Sequence, residues 1–121
     1  MRILFVEDDG ELREILGEAL MSLGHEVFAA SNGLEGMECL SLQDIDVVLS
    51  DIVMPNMSGL IFHERARSIP QYEHIPWIFL TGHKSLAKYD RTIRSDYDMI
   101  LEKPFPIDRL LKIFSGQYRT S

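Results

Sequence analysis

The sequence predicts a doubly wound α/β fold, a (βα)5 sandwich in which helices cover both faces of a five-stranded parallel sheet. Five short runs rich in Ile, Leu, Val and Phe alternate with five segments whose apolar residues recur at helical spacing. Strands that alternate with helices form parallel sheets, because each helix carries the chain back across the sheet. The strand-like runs also end in polar residues, which would gather at one edge of such a sheet.

The predicted strands are short and mostly apolar. They cover residues 2–6, 26–30, 46–51, 77–81 and 98–102. The first is followed by Glu7 and Asp8, and the third ends at Asp51. The fourth ends at Thr81, and Lys103 follows the fifth. Carboxylates, a hydroxyl and an ammonium group are therefore expected at the same sheet edge.

Each predicted helix has one apolar face, and the first and third also have start and stop signals. Asp9 or Gly10 begins the first helix and Gly24 ends it. Asn32-Gly33 is predicted as a turn, Ser58 caps the third helix, and Pro70 ends it. The apolar faces are Leu12, Ile15, Leu16, Ala19, Leu20 and Leu23; Leu34, Met37 and Leu40; Phe62, Ala66 and Ile69; Leu86, Ala87, Tyr89 and Ile93 in a weak helix at 84–94; and Ile107, Leu110, Leu111 and Phe114.

Composition predicts one globular domain over residues 1–121 and excludes several classes of protein. The net charge of −7 argues against a nucleic-acid surface. A single cysteine, Cys39, allows no internal disulfide, which suits a reducing cytoplasm. No apolar run approaches the roughly 18 residues of a membrane span, and the N-terminus does not resemble a signal peptide. A cytoplasmic location is expected.

Glu7, Asp8 and Asp51 form the predicted metal site. Three carboxylates at one strand edge repel one another, and a hard divalent cation relieves that repulsion. Mg²⁺ takes oxygen ligands and is typically held by one or two carboxylates together with a phosphate oxygen. The alternative is that Glu7-Asp8-Asp9 is simply an acidic helix start. We assign that capping role to Asp9 and favour a metal for the other two.

Asp51 is either a third passive ligand or a nucleophile. A carboxylate can attack phosphorus and form an aspartyl phosphate, provided that the charge of the transferred group is neutralised. Lys103 would supply an ammonium group, Thr81 a hydroxyl for a phosphoryl oxygen, and Gly82 steric access. Alone, Thr81 would more often be a helix cap and Lys103 a surface lysine; their joint placement favours the phosphoryl site.

These residues together resemble a known family, the receiver domain of two-component response regulators. An acidic pair follows strand 1, Asp-x-x-Met-Pro-x-Met-x-Gly begins at Asp51, Thr-Gly follows strand 4, and Lys-Pro-Phe follows strand 5. The resemblance covers essentially the whole chain. It implies a flavodoxin-like sheet of order 2-1-3-4-5 and a phosphoryl group transferred to Asp51 from a histidine kinase or phosphotransfer protein. It also implies Mg²⁺ held by Glu7, Asp8, Asp51 and the backbone carbonyl of Val53.

The resemblance further implies output through the fourth helix, fifth strand and fifth helix to a downstream protein or an attached output domain. The sequence departs from the family at Ile100, where Tyr or Phe is usual. We hypothesise that Ile100 repacks against the predicted helix at 84–94 during switching. Val53 offers no side-chain hydrogen bond to a water that attacks the phosphate. His83 has two interpretations: a residue that orients such a water, or a solvent-exposed loop residue. Slow self-hydrolysis is expected.

Two other functions compete with the phosphoacceptor. A haloacid-dehalogenase-like phosphatase also uses Asp, Thr, Lys and Mg²⁺, but its nucleophile lies in an Asp-x-Asp pattern after strand 1, which Glu7-Asp8-Asp9 lacks. A receiver-like module that no longer accepts phosphate is the third possibility. The remaining candidates have structural interpretations. We interpret His25, His63 and His74 as surface or hydrogen-bonded residues, and Cys39 and Trp77 as packing residues. Met54 and Met57 are either packing residues or part of a loop that moves on phosphorylation, and Lys84, Lys88, Arg91 and Arg94 form either a solvated helix face or a docking patch.

Overall fold

Five parallel strands form a single sheet in the order β2-β1-β3-β4-β5. The computed structural model describes residues 1–54, 57–82, 98–102 and 107–114. The strands are β1 (Arg2–Val6), β2 (Glu26–Ala30), β3 (Val47–Asp51), β4 (Trp77–Thr81) and β5 (Asp98–Glu102). The predicted fold class and strand order are therefore confirmed.

Helices lie on both faces of the sheet. They are α1 (Gly10–Ser22), α2 (Gly33–Leu42), α3 (Gly59–Arg67) and α4 (Ile107–Lys112), with a 3-10 turn at Pro70–Tyr72. The helix predicted at 84–94 lies outside the described residues, so α4 is the helix predicted as the fifth. Every helix in the described ranges is too short or too polar to cross a bilayer.

Two apolar clusters, one on each face, hold the helices to the sheet. Leu16 and Leu20 of α1 pack with Leu110 and Phe114 on one face. On the other face, Leu40 of α2 and Phe62 of α3 join a cluster that includes Trp77, whose ring meets that of Phe62 edge-on at 4.7 Å between centroids. Burial on both faces explains why β1, β3 and β4 are nearly continuous apolar runs.

The predicted face of α1 is wider than the face that the structure buries. Ile15 is 46% exposed and Leu23 is 43% exposed, whereas Leu16 is buried. Successive helical residues are about 100° apart around the axis, so Ile15 points sideways from Leu16. Leu23 is the C-cap residue and lies just before Gly24, whose φ of 91° ends the helix as predicted.

The predicted face of α2 was wrong at Leu34, which is 55% exposed. The buried residues of α2 are Gly33, Gly36 and Leu40. A Cβ at Gly36 would lie 2.6 Å from the ring of Phe62, so the absence of a side chain lets α2 approach α3 closely. The predicted turn at Asn32-Gly33 is instead the helix start, because the Asn32 carboxamide accepts a hydrogen bond from the Glu35 N–H at 2.9 Å.

Candidate phosphoacceptor site

The register of the sheet places the ends of β1, β3 and β4 side by side. Val6 is opposite Ser50, and Asp51 is opposite Leu80. Glu7 and Asp8 therefore leave β1 next to the end of β3, and Thr81 ends β4 one residue beyond the level of Asp51. The predicted gathering of polar groups at the carboxyl edge is confirmed for these strands.

The three predicted carboxylates form a cluster. One ligand oxygen from each of Glu7, Asp8 and Asp51 lies within 4.8 Å of the others. Glu7 and Asp51 are buried, while Asp8 is exposed. Mg²⁺ holds oxygen ligands at about 2.0–2.1 Å, so adjacent ligands around one ion are roughly 3 Å apart. A small contraction brings the cluster to that spacing, and its all-oxygen donors suit a hard cation, so the residues fit Mg²⁺.

Asp51 is held in a defined orientation. Its Oδ1 accepts a hydrogen bond from the Ile52 N–H at 2.9 Å, and its backbone carbonyl accepts one from the Ser50 hydroxyl at 2.9 Å. The first turn of α3 packs directly behind it, because the Gly59 N–H donates to the Ile52 carbonyl at 2.7 Å. Ser58 caps α3 by accepting from the Ile61 N–H, as predicted. Main-chain groups and α3 therefore fix the Asp51 carboxylate relative to the sheet.

The turn after β1 is held equally firmly. The Glu7 N–H donates to the Ala30 carbonyl at 3.0 Å, and Glu7 Oε2 accepts from the Asp9 N–H at 3.2 Å. Asp9 Oδ1 accepts from the N–H groups of Glu11 and Leu12 at 3.0 and 3.2 Å. The predicted capping role of Asp9 is thereby confirmed, and the cap directs Glu7 and Asp8 toward Asp51.

Some of the other predicted site residues lie in the described part of the chain, and some lie outside it. Thr81 is 1% exposed at the end of β4, with Gly82 exposed after it. Val53 is 63% exposed two residues after Asp51. Ile100 is partly buried against the apolar cluster that contains Phe79. Lys103 and His83 lie outside the described residues, as do the four basic residues of the helix predicted at 84–94.

Several residues with structural interpretations are now placed. Met54 and Met57 are buried in the core, and Cys39 packs against it, where burial raises the pKa of its thiol. Of the two interpretations of His63, a surface residue or a hydrogen-bonded one, the structure excludes the surface position. His63 is 2% exposed, and its ring lies 4.9 Å from that of Trp77, because α3 turns it onto β4.

Sequence reasoning missed two contributors to the site. Gly59 was only one letter of a motif, yet a Cβ there would lie 2.1 Å from the Asp51 carbonyl oxygen. Arg13 was not considered, although its guanidinium donates to the Glu7 carbonyl at 2.7 Å. Its position one helical turn after Asp9 was the available signal, because residues four apart lie on the same side of a helix.

Comparison with known proteins agrees with this site. The sequence model of the response regulator receiver domain matches residues 3–115. The chain is 33% identical to the sensor histidine kinase RcsC of Escherichia coli over all of its own length, but it spans only 13% of RcsC. The chemotaxis response regulator CheY4 of Vibrio cholerae has 30% identity and a TM-score of 0.84, with 94% of this chain and 95% of CheY4 covered.

A further solved structure bears on the metal. The receiver domain of the sensor histidine kinase PA1611 from Pseudomonas aeruginosa, solved with a magnesium ion coordinated in its active-site cleft, is 28% identical with a TM-score of 0.79. The match covers 94% of this chain and 93% of that domain. The acidic cluster of Glu7, Asp8 and Asp51 fits a phosphoacceptor aspartate with Mg²⁺. This chain belongs to the family of response regulator receiver domains, the signalling domains of two-component systems.

Proposed function

We propose that Asp51 accepts a phosphoryl group from the phosphohistidine of a sensor kinase or phosphotransfer protein. The observation that carries this proposal is the convergence of the three carboxylates, with Asp51 buried and oriented by the Ile52 N–H. The similarity to a receiver segment of a sensor kinase and to a chemotaxis regulator supports a kinase as the donor. Such a donor would place the chain in the cytoplasm.

In the proposed reaction a carboxylate oxygen of Asp51 attacks phosphorus. The new O–P bond forms as the P–N bond of the phosphohistidine breaks, and its electron pair remains on the imidazole nitrogen, which takes up a proton. Glu7, Asp8, Asp51 and the Val53 carbonyl would hold Mg²⁺, which supplies neutralising charge for the phosphoryl oxygens. The Thr81 hydroxyl and the Lys103 ammonium would bind those oxygens, and Gly82 would leave them room. The chain thus catalyses only its own phosphorylation and dephosphorylation.

Val53 is proposed to lengthen the lifetime of the acyl phosphate. Its isopropyl group is exposed two residues after Asp51 and cannot hydrogen-bond to an attacking water. Asparagine at this position would supply a carboxamide that can hydrogen-bond to the water and orient it. Val53→Asn is therefore expected to hasten loss of the phosphoryl group by roughly 10-fold, because orientation of the attacking water has a large effect on rate. Decay of the phosphorylated chain followed by intact mass in excess Mg²⁺ measures the rate. Val53→Leu, which keeps the side chain apolar, should decay like wild type; equal decay in the asparagine variant would contradict the proposed role of Val53.

Ile100 is proposed to couple the site to a partner surface on β5 and its neighbours. Its side chain packs against the cluster of Phe79, two residues before Thr81 on the adjacent strand. Shortening it to alanine should weaken the difference in partner affinity between the two states, because less packing energy then distinguishes them. Affinity for the partner measured with and without phosphorylation tests this. An unchanged ratio in Ile100→Ala would show that the coupling runs elsewhere.

The phosphatase remains the rival from a different class, and the two make opposite predictions. A phosphoacceptor is labelled stoichiometrically at Asp51 by a small-molecule phosphodonor. A phosphatase turns over an external phosphomonoester many times. Incubating the chain with acetyl phosphate and, separately, with p-nitrophenyl phosphate, each with Mg²⁺, distinguishes them. A receiver-like module that no longer accepts phosphate would show neither result.

A further inference from the structure

Arg13 folds its side chain back over the start of α1. Its Nη1 donates to the Glu7 carbonyl oxygen at 2.7 Å. A Cβ built at Gly10 would lie 3.5 Å from Nη2, so the guanidinium also lies beside the first residue of the helix. The side chain is half-buried. The Arg13 side chain therefore packs against the turn between β1 and α1 and is hydrogen-bonded to it.

The hydrogen bond from Arg13 differs from two other hydrogen bonds of Glu7 because it comes from a side chain. The Glu7 N–H reaches the Ala30 carbonyl, and the Glu7 carboxylate accepts from the Asp9 N–H. Both of those partners are main-chain groups, which no side-chain substitution removes. The Arg13 bond alone among the three can be deleted without changing an acidic residue. It also acts on the peptide that joins Glu7 to Asp8, so it bears on both carboxylates at once.

We infer that Arg13 is a positioning residue for the Mg²⁺ site. By binding the Glu7 carbonyl it fixes the Glu7–Asp8 peptide, and so holds both carboxylates close to Asp51, within reach of one cation. This inference rests on the proposed function, because the Mg²⁺ site belongs to it. Partners that orient metal ligands without touching the metal typically account for 10–100-fold in metal affinity.

A purely electrostatic role for Arg13 predicts the opposite result. A fixed positive charge near three carboxylates repels an incoming cation, so its removal would tighten Mg²⁺ binding. The pKa of Glu35 on α2 is lowered, chiefly by hydrogen bonds from the Ser31 main chain and hydroxyl. The positive charge of Arg13 contributes a smaller part of that lowering. The sign of the change in Mg²⁺ affinity therefore separates positioning from charge.

Isothermal titration of the full chain with MgCl₂ tests the inference. Arg13→Ala is expected to weaken Mg²⁺ binding by about 10-fold, at the lower end of the range for such partners. Arg13→Lys keeps the charge but is shorter and lacks the planar fork, so it should fall between the alanine variant and wild type. The control is Arg65→Ala, which removes the same charge from an exposed position on α3 and should bind as wild type does. Equal or tighter binding by Arg13→Ala would overturn the inference.

Amide hydrogen exchange without Mg²⁺ supplies a second readout. In Arg13→Ala the amides of Glu7 and Asp9 should exchange faster, while those of Leu4 and Leu49 in the sheet keep their protection. Loss of protection throughout the sheet would show that Arg13 supports folding in general, and would also overturn the inference. If wild type binds Mg²⁺ and is labelled at Asp51 while Arg13→Ala binds equally well, the proposed function stands and only this inference fails. If wild type binds no Mg²⁺, both fail.

Discussion

The Asp51→Asn variant is expected to gain no mass when it is incubated with acetyl phosphate and Mg²⁺, whereas the wild-type chain gains one phosphoryl group. Asparagine has almost the same shape as aspartate, but its amide is not a nucleophile toward phosphorus. The substitution also removes one of the three charges that are proposed to hold Mg²⁺. Both losses act in the same direction, so labelling should fall below detection. Intact-mass spectrometry before and after incubation measures the result directly.

The control for this experiment is Asp44→Asn. Asp44 is an exposed aspartate in the turn between α2 and β3, away from the carboxyl edge of the sheet. The Asp44→Asn variant has the same change of charge and shape as Asp51→Asn, and it should be labelled as fully as wild type. Labelling of Asp51→Asn to the wild-type extent would show that another residue accepts the phosphoryl group. A wild-type chain that is never labelled, in the presence of Mg²⁺ and excess donor, would overturn the proposed function.

The Gly59→Ala variant is expected to lose a large part of the stability of the fold. Gly59 is the first residue of α3, and a Cβ there would lie 2.1 Å from the Asp51 carbonyl oxygen and 3.0 Å from the Ile52 Cα. These are main-chain atoms of the last residue of β3 and the first residue after it, so the clash is not relieved by rotating a side chain. Relief requires α3 to move from the sheet, at a cost of roughly 3 kcal/mol in the free energy of unfolding, the upper end of the usual range for overpacking. Urea denaturation followed by far-ultraviolet circular dichroism measures this change.

The chain contains a matched control for this substitution. Gly17 is a buried glycine in α1, and a Cβ there would meet nothing within 4 Å. Gly17→Ala should therefore stabilise the fold by about 0.5–1 kcal/mol, because alanine loses less conformational freedom than glycine in a helix. In Gly59→Ala the displaced loop should also slow labelling of Asp51. A Gly59→Ala chain as stable as wild type would show that α3 and the loop separate at little cost.

The sequence by itself determined the order and type of the described elements and the main residues of the acidic cluster. Strand ends at Asp51 and Thr81 and the helix caps Asp9 and Ser58 were all predicted correctly. These features are local: apolar periodicity marks the element, and a cap bonds to an amide two or three residues away. Because carboxyl ends of parallel strands share one edge, the pattern of polar strand ends was enough to bring Glu7, Asp8 and Asp51 together.

Only the tertiary structure decided which side chains the neighbouring elements cover. Leu34 and Ile15 fit a helical apolar face yet are exposed, while His63 is buried against the aromatic rings of β4. The close approach of Gly59 to Asp51 and the bond from Arg13 to Glu7 likewise depend on how a helix start meets a strand end. Periodicity shows that a helix has an apolar face. The width of that face, and the atoms it meets, are set by the helix or strand packed against it, which lies far away in the sequence.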